Sequence, residues 1–487
     1  MSGPGSLGGR PGTLVVEGGS VVTPEGVVPA DVVVRGEQVA GVVAPGQAEG
    51  LLVPGAKRVD ARGLLVLPGA VDVHTHLDMP LGDLRSADSF ASGTRAALLG
   101  GTTTVVDFCV QPRGESPLAG LAAWHELAAG QAVCDYGFHA ILSDPNEAAL
   151  ADLPGLVAEG VTSVKVFTAY PGRLYADDGR ILRTMQEAAR LGMLCMVHAE
   201  NGLAIDVLVA QALARGEVGP AAHGATRPSV LEGEATNRAV SLAEVARCPL
   251  YVVHLSAAEA LAVVRRARRR GLPVFAETCP QYLFLDEELL AGPGGERWVC
   301  SPPLRSRRHQ AALWAGLVQG DLQTVATDHC PFCLAERTPW AGVDFSRIPN
   351  GLPGIEHRLD LLHQGVVSGR LTLERMVEVA AVVPARLFGL WPRKGSLLPG
   401  ADADLVVYDP EATQELSAAR HHMAVDYSAY EGMTVTGAVR AVVQRGELVV
   451  RDGQFLGRGG RGRYLARPAG AVSWPSGSAG EELAEED

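Results

Sequence analysis

His74 and His76 stand two residues apart in VDVHTHLDMP, and a lysine interrupts the apolar run VTSVKVFTAY at position 165. Further along, His198 falls in LCMVHAE, His254 in LYVVHLS and Asp328 in QTVATDH. Each of these six sits at or near the end of an apolar, β-branched stretch that reads as a strand. Residues i and i+2 of a strand share a face, so both rings of the His-x-His pair project the same way. Four histidines and a carboxylate form a nitrogen-rich set suited to zinc, with manganese, cobalt or iron as alternatives.

Lys165 is one of three lysines in a chain with thirty-nine arginines. Arginine would bring the same charge, so the position calls for something only a primary amine offers. Burial depresses a lysine pKa and leaves part of the amine neutral. A neutral amine adds carbon dioxide to give a carbamate, N6-carboxylysine, a bidentate anion able to bridge two divalent metal ions roughly 3.5–4 Å apart. The competing reading has Lys165 snorkelling or pairing with a buried carboxylate. A single histidine in an apolar strand is also commonly a hydrogen-bonded core residue, and His139 in FHAI is read that way. Six such residues at the same end of five strands fit independent core placement poorly. Cys330 and Cys333 make one Cys-x-x-Cys pair without a second pair or a helix start, and are read as chance spacing.

The elements that must position these groups alternate. Candidate strands are LLVLPGAVDVHTH (64–76), 102–108, 136–141, 163–167, 194–200, 250–256, 273–279 and 323–329, with helical patterns between most of them. Eight strands and intervening helices over roughly 260 residues have the size and rhythm of a (β/α)8 barrel, an α/β fold of the TIM type. The six residues then meet at the carboxyl ends of the strands, where barrel enzymes assemble their sites. A doubly wound open sheet is the rival, but no Gly-x-Gly-x-x-Gly follows an early strand. Short strands with tight turns fill the first sixty-odd residues and return near the end, which predicts a small β-sandwich built from both termini. The expected division is 1–66 and 398–456 for the sandwich, 67–397 for the catalytic barrel, and a Gly-, Pro- and Glu-rich tail at 457–487, its last dozen residues disordered.

The chain has 487 residues, 47% of them apolar, and a net charge of −13. That balance and the lack of a long basic run argue against nucleic-acid or anionic-membrane partners. RRARRR at 265–270 reads as a solvated helix end. No apolar run of transmembrane length and no signal-peptide pattern is present, and scattered cysteines suit a reducing compartment, so a cytoplasmic protein is expected.

VDVHTHLDMP, VKVFTAY, MVHAENG, YVVHLSA, ETCPQYLFLD, CSPPLR, ATDHCPF, IPNGLPGIEHR and LWPRKGSLLPGADADLVVYDP, in this order, resemble the dihydropyrimidinase/hydantoinase branch of the cyclic amidohydrolases. The likeness runs from about residue 12 to residue 465. It implies that His74, His76 and Asp328 ligate the more buried of two divalent metals, that His198 and His254 ligate the more exposed one, and that carbamylated Lys165 bridges them. Tyr170 matches the tyrosine that hydrogen-bonds the substrate carbonyl, and Ser301 and Asn350 match positions whose backbone holds the cyclic amide or imide. The implied reaction is hydrolytic opening of hydantoin or dihydropyrimidine rings to N-carbamoyl amino acids. A metal-bridging hydroxide attacks the carbonyl, Tyr170 stabilises the oxyanion, and Asp328 carries the proton to the leaving nitrogen. No Gly-x-Ser-x-Gly elbow supports a serine-nucleophile alternative. A homotetramer is also implied, with the C-terminal tail a candidate subunit contact.

Among relatives, dihydroorotases follow His-x-His with an arginine; here Leu77, Asp78, Met79 and Pro80 follow, and Arg85 is a weak substitute. The allantoinase continuation is also absent. Leu77, Met79, Leu81, Phe167 and Tyr170 are expected to form an apolar wall suited to a small cyclic amide, although each alone is equally read as core. Val383 stands where the family pattern has Asn before Pro-Ala, and loss of a helix cap there would cost ~1 kcal/mol. Two other readings remain: a metal-dependent hydrolase of another amide, allantoin-like or acyclic, and a non-catalytic scaffold of the same fold. A scaffold would show gaps among the six residues, and there are none.

Overall fold

A computed structural model describes residues 12–51 and 55–473 of the chain. Five strands come first: β1 (Thr13–Thr23), β2 (Gly26–Arg35), β3 (Gln38–Val43), β4 (Lys57–Asp60) and β5 (Leu65–Pro68). Then follow β6 (Ala70–Thr75), a hairpin of β7 (Pro80–Leu81) and β8 (Leu84–Arg85), β9 (Thr102–Val110), β10 (Asp135–Ile141), β11 (Ser163–Phe167) and β12 (Leu194–His198). Next come β13 (Leu250–Val252), β14 (Val274–Thr278) and β15 (Thr324–Val325), and finally β16 (Leu405–Leu416), β17 (Met433–Gln444), β18 (Glu447–Arg451) and β19 (Gln454–Phe455).

Strands β6 and β9 to β15 form one eight-stranded parallel sheet with helices between successive strands. Their residues are mostly β-branched and almost all buried, as strands covered on both faces must be. The sheet closes between its first and last strands. Thr327 donates to Asp72 from its backbone nitrogen at 3.2 Å and its hydroxyl at 2.7 Å, and His76 N donates to His329 O at 2.9 Å. The (β/α)8 barrel expected from the alternation is the fold of the central part.

The stretch expected as one strand over 64–76 is two. β5 pairs with β1 and β16 in the outer sheet, and β6 pairs with β9 in the barrel. The chain changes sheets at Gly69, where a Cβ would lie 2.2 Å from Thr103 Oγ1 and 2.9 Å from Asp404 Cβ. An apolar run shows that both pieces are buried but not that they belong to different sheets.

The outer sheet has nine strands from both ends of the chain, joined where β5 meets β16. Leu14, Val16, Val32 and Val34 share an apolar cluster with Leu405, Val407, Ala441 and Val443, so neither terminus has this core without the other. At the junction with the barrel, Lys394 is buried with its Nζ 2.6 Å from Asp135, 2.9 Å from Asp402 and 2.9 Å from Asp404. Burial acts to lower the amine pKa, and the three carboxylates raise it above the ordinary lysine range. A compact ammonium with three donors suits three carboxylates better than a planar fork does.

Residues 457–473 run beneath the barrel. Leu465 N bonds Tyr136 O at 2.7 Å, Arg467 N bonds Gly160 O at 3.0 Å, and Gly470 N bonds Gly192 O at 2.8 Å. The disorder expected of the last dozen residues falls outside the described residues. Val383 corrects the capping expectation: at φ −69° and ψ −44° it lies inside a continuous helical run, after a π-type turn over Glu378–Val382. No cap is lost there. Among the described residues no helix is long and apolar enough to cross a membrane.

Lys394→Met leaves Asp404 without its side-chain cation and takes one of two from Asp135 and Asp402, which keep Arg445 and Arg393. We expect a loss of about 3–5 kcal/mol, read from denaturant unfolding, with little recovery in Lys394→Arg.

Candidate metal centre

Strand β6 supplies His74, and His76 follows its last residue; Lys165 is central in β11, and His198 ends β12. His254 and Asp328 lie just beyond β13 and β15, not within them. The backbone there is left-handed, with φ +38° at His254 and +51° at Asp328, and φ is +61° at Tyr170. Non-glycine residues hold such angles only where their surroundings fix them, at a cost of about 1–3 kcal/mol each. All six side chains are buried.

The structure brings the six together. His74 Nε2 is 3.2 Å from His76 Nε2, and the two lie 3.1 and 3.2 Å from Asp328 Oδ1. Lys165 Nζ is 3.0 Å from His74 Nε2. On the other side, His198 Nδ1 is 2.9 Å from His254 Nε2. Burial lowers the His76 pKa to about 3 and takes that of His254 well below the usual imidazole range, so these rings present lone pairs. Rings this close cannot all donate to one another, whereas a divalent cation accepts a lone pair from each, and the donor set therefore fits a metal. The donor atoms of His74, His76 and Asp328 lie within 4.8 Å of one another. Burial also brings the Lys165 amine down to about 8, against the pull of Asp328 and Glu277; its Nζ sits 4.3 Å from the centre of the Phe108 ring. At Asp328, burial acts to raise the pKa, yet the charge of His74 and hydrogen bonds from His74 and His76 hold it well below the carboxylate range.

Two carboxylates overlooked in the sequence orient these rings. His74 Nδ1 bonds Glu277, which also accepts from His254 N at 2.9 Å and from the Tyr251 hydroxyl at 2.8 Å. His198 Nε2 bonds Glu200 Oε2 at 2.9 Å. Each carboxylate fixes the tautomer that leaves the other ring nitrogen free for a cation. Burial acts to raise the Glu200 pKa, but Arg227 and the His198 hydrogen bond outweigh it and leave about 2. Both had a signal: Glu277 is an acid inside the apolar strand PVFAETC, and Glu200 follows His198 by two.

A cavity of about 970 Å³ opens over the cluster, lined by Met79 and Leu81 of the hairpin, Phe167, Tyr170, Ser301 and Asn350. His76, Lys165, His198, His254 and Asp328 also face it. The Phe167 ring stacks on His198 with centroids 5.4 Å apart, and burial pushes the Tyr170 phenol up to about 12. Leu77 is a correction to the expected wall. It is fully buried, fills the space left by Gly93, where a Cβ would meet it at 2.3 Å, and its backbone nitrogen donates to Asp107 at 2.8 Å. Arg85 bonds the Asp78 carbonyl at 2.6 Å and is not among the lining residues. His139 is the core histidine expected, held between Ser163 Oγ at 2.5 Å and Val73 O at 3.0 Å. His223 was passed over; its Nε2 donates to Cys300 O at 2.8 Å and so supports the loop carrying Ser301.

A model of the amidohydrolase family matches residues 65–449. A D-hydantoinase of Streptomyces coelicolor is 55% identical over 455 residues, which is 93% of this chain and 97% of that protein. A D-hydantoinase of Geobacillus stearothermophilus is 46% identical over 459 residues, 93% of this chain and 96% of that one. The crystal structure of a dihydropyrimidinase from Brevibacillus agri superposes with a TM-score of 0.91 at 45% identity, covering 94% of this chain and 99% of the other. With barrel, outer sheet and histidine cluster all in place, the chain belongs to the amidohydrolase family, in its hydantoinase/dihydropyrimidinase branch.

Proposed function

We propose that this protein is a metal-dependent hydrolase that opens cyclic amide and imide rings, 5-substituted hydantoins and dihydropyrimidines, to N-carbamoyl amino acids. The observation that carries the reading is the convergence of His74, His76, Asp328, Lys165, His198 and His254 under one cavity. The relatives named D-hydantoinase and dihydropyrimidinase support the substrate class and a preference for the D enantiomer. His74, His76 and Asp328 would hold one divalent ion, His198 and His254 a second, and Lys165, as its carbamate, both. Zinc suits the nitrogen-rich set best, with manganese or cobalt as alternatives. The carbamate forms when the Lys165 nitrogen adds to the carbon of carbon dioxide and releases a proton; an amine near pKa 8 has the neutral fraction this needs. Metals bound there supply Lewis acidity, which makes water a nucleophile near neutral pH and polarises a carbonyl.

The chain's own residues do the rest. Tyr170 keeps its proton across the neutral range and donates it as a hydrogen bond to the carbonyl oxygen as charge develops there. Asp328 takes the proton of the attacking water and returns it to the ring nitrogen as the C–N bond breaks. Backbone groups of Ser301 and Asn350 hold the cyclic amide, while Met79, Leu81 and Phe167 face its 5-substituent. The same reading has the chain act in the cytoplasm as a homotetramer, with the segment after residue 457 a subunit contact, and light scattering measures the assembly.

Zinc- or manganese-loaded protein with bicarbonate is expected to open D-5-phenylhydantoin faster than its L enantiomer, and to open dihydrouracil, as followed by chiral chromatography. Chelation, Lys165→Ala and Lys165→Arg each abolish turnover. Metal-loaded protein inert on all of these rings would remove the cyclic-amide assignment. Tyr170→Phe lowers kcat/KM by about 10²–10³ with metal content unchanged; a fall of less than fivefold would take the oxyanion role from Tyr170.

A further inference from the structure

Glu200 and Arg227 have no part in the chemistry above, yet they lie between its two halves. Glu200 Oε2 accepts from His198 Nε2 at 2.9 Å, and Arg227 Nη1 approaches the same oxygen at 3.5 Å. The Arg227 guanidinium carbon also lies 5.9 Å from the centre of the Tyr170 ring, within cation–π range. Arg227 is itself held: Arg305 bonds its carbonyl oxygen, and Arg305 is fixed by Glu232 at 2.8 Å and Ser256 at 3.1 Å.

The loops carrying Tyr170 and Glu200 are tied to each other. Thr168 Oγ1 donates to Glu200 O at 2.8 Å and to His198 O at 3.1 Å, and Gly202 N donates to Thr168 O at 3.0 Å. At Gly202 a Cβ would stand 2.6 Å from Ala169 Cα, so no larger residue lets these loops meet. The loop after β11 that presents Tyr170 and the loop after β12 that presents Glu200 therefore move as one.

We propose that Glu200 and Arg227 are positioning residues that couple the His198–His254 half of the metal pocket to Tyr170. The proposal rests on the metal reading given above. With Nε2–H donating to Glu200, His198 offers Nδ1 as a lone pair toward His254. Without that acceptor the ring exchanges tautomers, and one of them aims N–H at the cation. Arg227 keeps the carboxylate oriented and places its positive charge against the ring that carries the donating phenol.

The test uses Glu200→Met, Glu200→Gln and Arg227→Met as metal-loaded full-length proteins. Metal per chain is measured by elemental analysis across a chelator series, alongside kcat, KM and thermal unfolding. Glu200→Met is expected to lose one of its two metals at chelator concentrations 10–100-fold below those that strip the wild type. Glu200→Gln keeps an amide oxygen that accepts from Nε2, and recovers most of that loss. Arg227→Met retains both metals and loses about tenfold in kcat with little change in KM, a size between an exposed and a desolvated cation–π contact. Should Glu200→Met not fold, the double variant Glu200→Met/Arg227→Met removes both charges at constant volume and gives the same metal readout. Chelator curves identical to wild type in the variants lacking the Glu200 acceptor would overturn the proposal, as would losses that merely track a lowered Tm. A wild-type chain holding a single metal would overturn the two-metal reading instead, and this proposal with it, by a result visible before any variant is made.

Discussion

Imidazole rings repel when their lone pairs meet, and this chain buries four histidines beside a carboxylate and an amine at the mouth of one barrel. Hydrogen bonds among the rings alone cannot relieve that crowding. A divalent cation can, and the surrounding structure keeps the rings turned for one. Glu277 fixes His74, Glu200 fixes His198, and left-handed backbone at His254 and Asp328 aims the last two ligands inward. The strain and the buried charge are consistent with a site whose energy is recovered on binding metal.

The barrel makes this arrangement affordable by spreading it over five strands. Each of the five strands holds one or two of the six residues, within it or just beyond its end, and otherwise packs as apolar core, so no single element carries the full cost of buried polar groups. The outer sheet contributes at a distance. Its joint with the barrel is sealed by Lys394 among three aspartates, and its own core needs both ends of the chain. Two of the three lysines thus sit where guanidinium would not serve: Lys394 as a compact three-way donor, and Lys165, in the proposed reading, as the amine that becomes a carbamate.

Much of this was legible in the sequence because strands report themselves. β-Branched runs located the four histidines and Asp328 that the structure brings together, and the alternation with helices predicted the barrel. What stayed hidden depends on relations that periodicity does not encode. The run at 64–76 carries a Pro68-Gly69 break, but a break of this kind does not say that the pieces on either side join different sheets. Leu77 follows a ligand and was read as pocket wall, but the backbone turns it into the space above Gly93. Val383 suggested a lost helix cap because the family pattern has Asn there, and the neighbouring π-type turn that continues the helix through it has no sequence signature. Glu200 and Glu277 were visible as acids in apolar surroundings, yet their function comes from the second nitrogen of a histidine distant in the chain or two residues away.

The central claim is that Lys165 bridges two metals as a carbamate, and carbon-13 NMR of zinc-loaded protein equilibrated with labelled bicarbonate tests it most directly. One carbamate carbon signal per chain is expected, absent from Lys165→Arg, in protein that elemental analysis shows to hold two metals. Two bound metals with an unmodified Lys165 amine would contradict it.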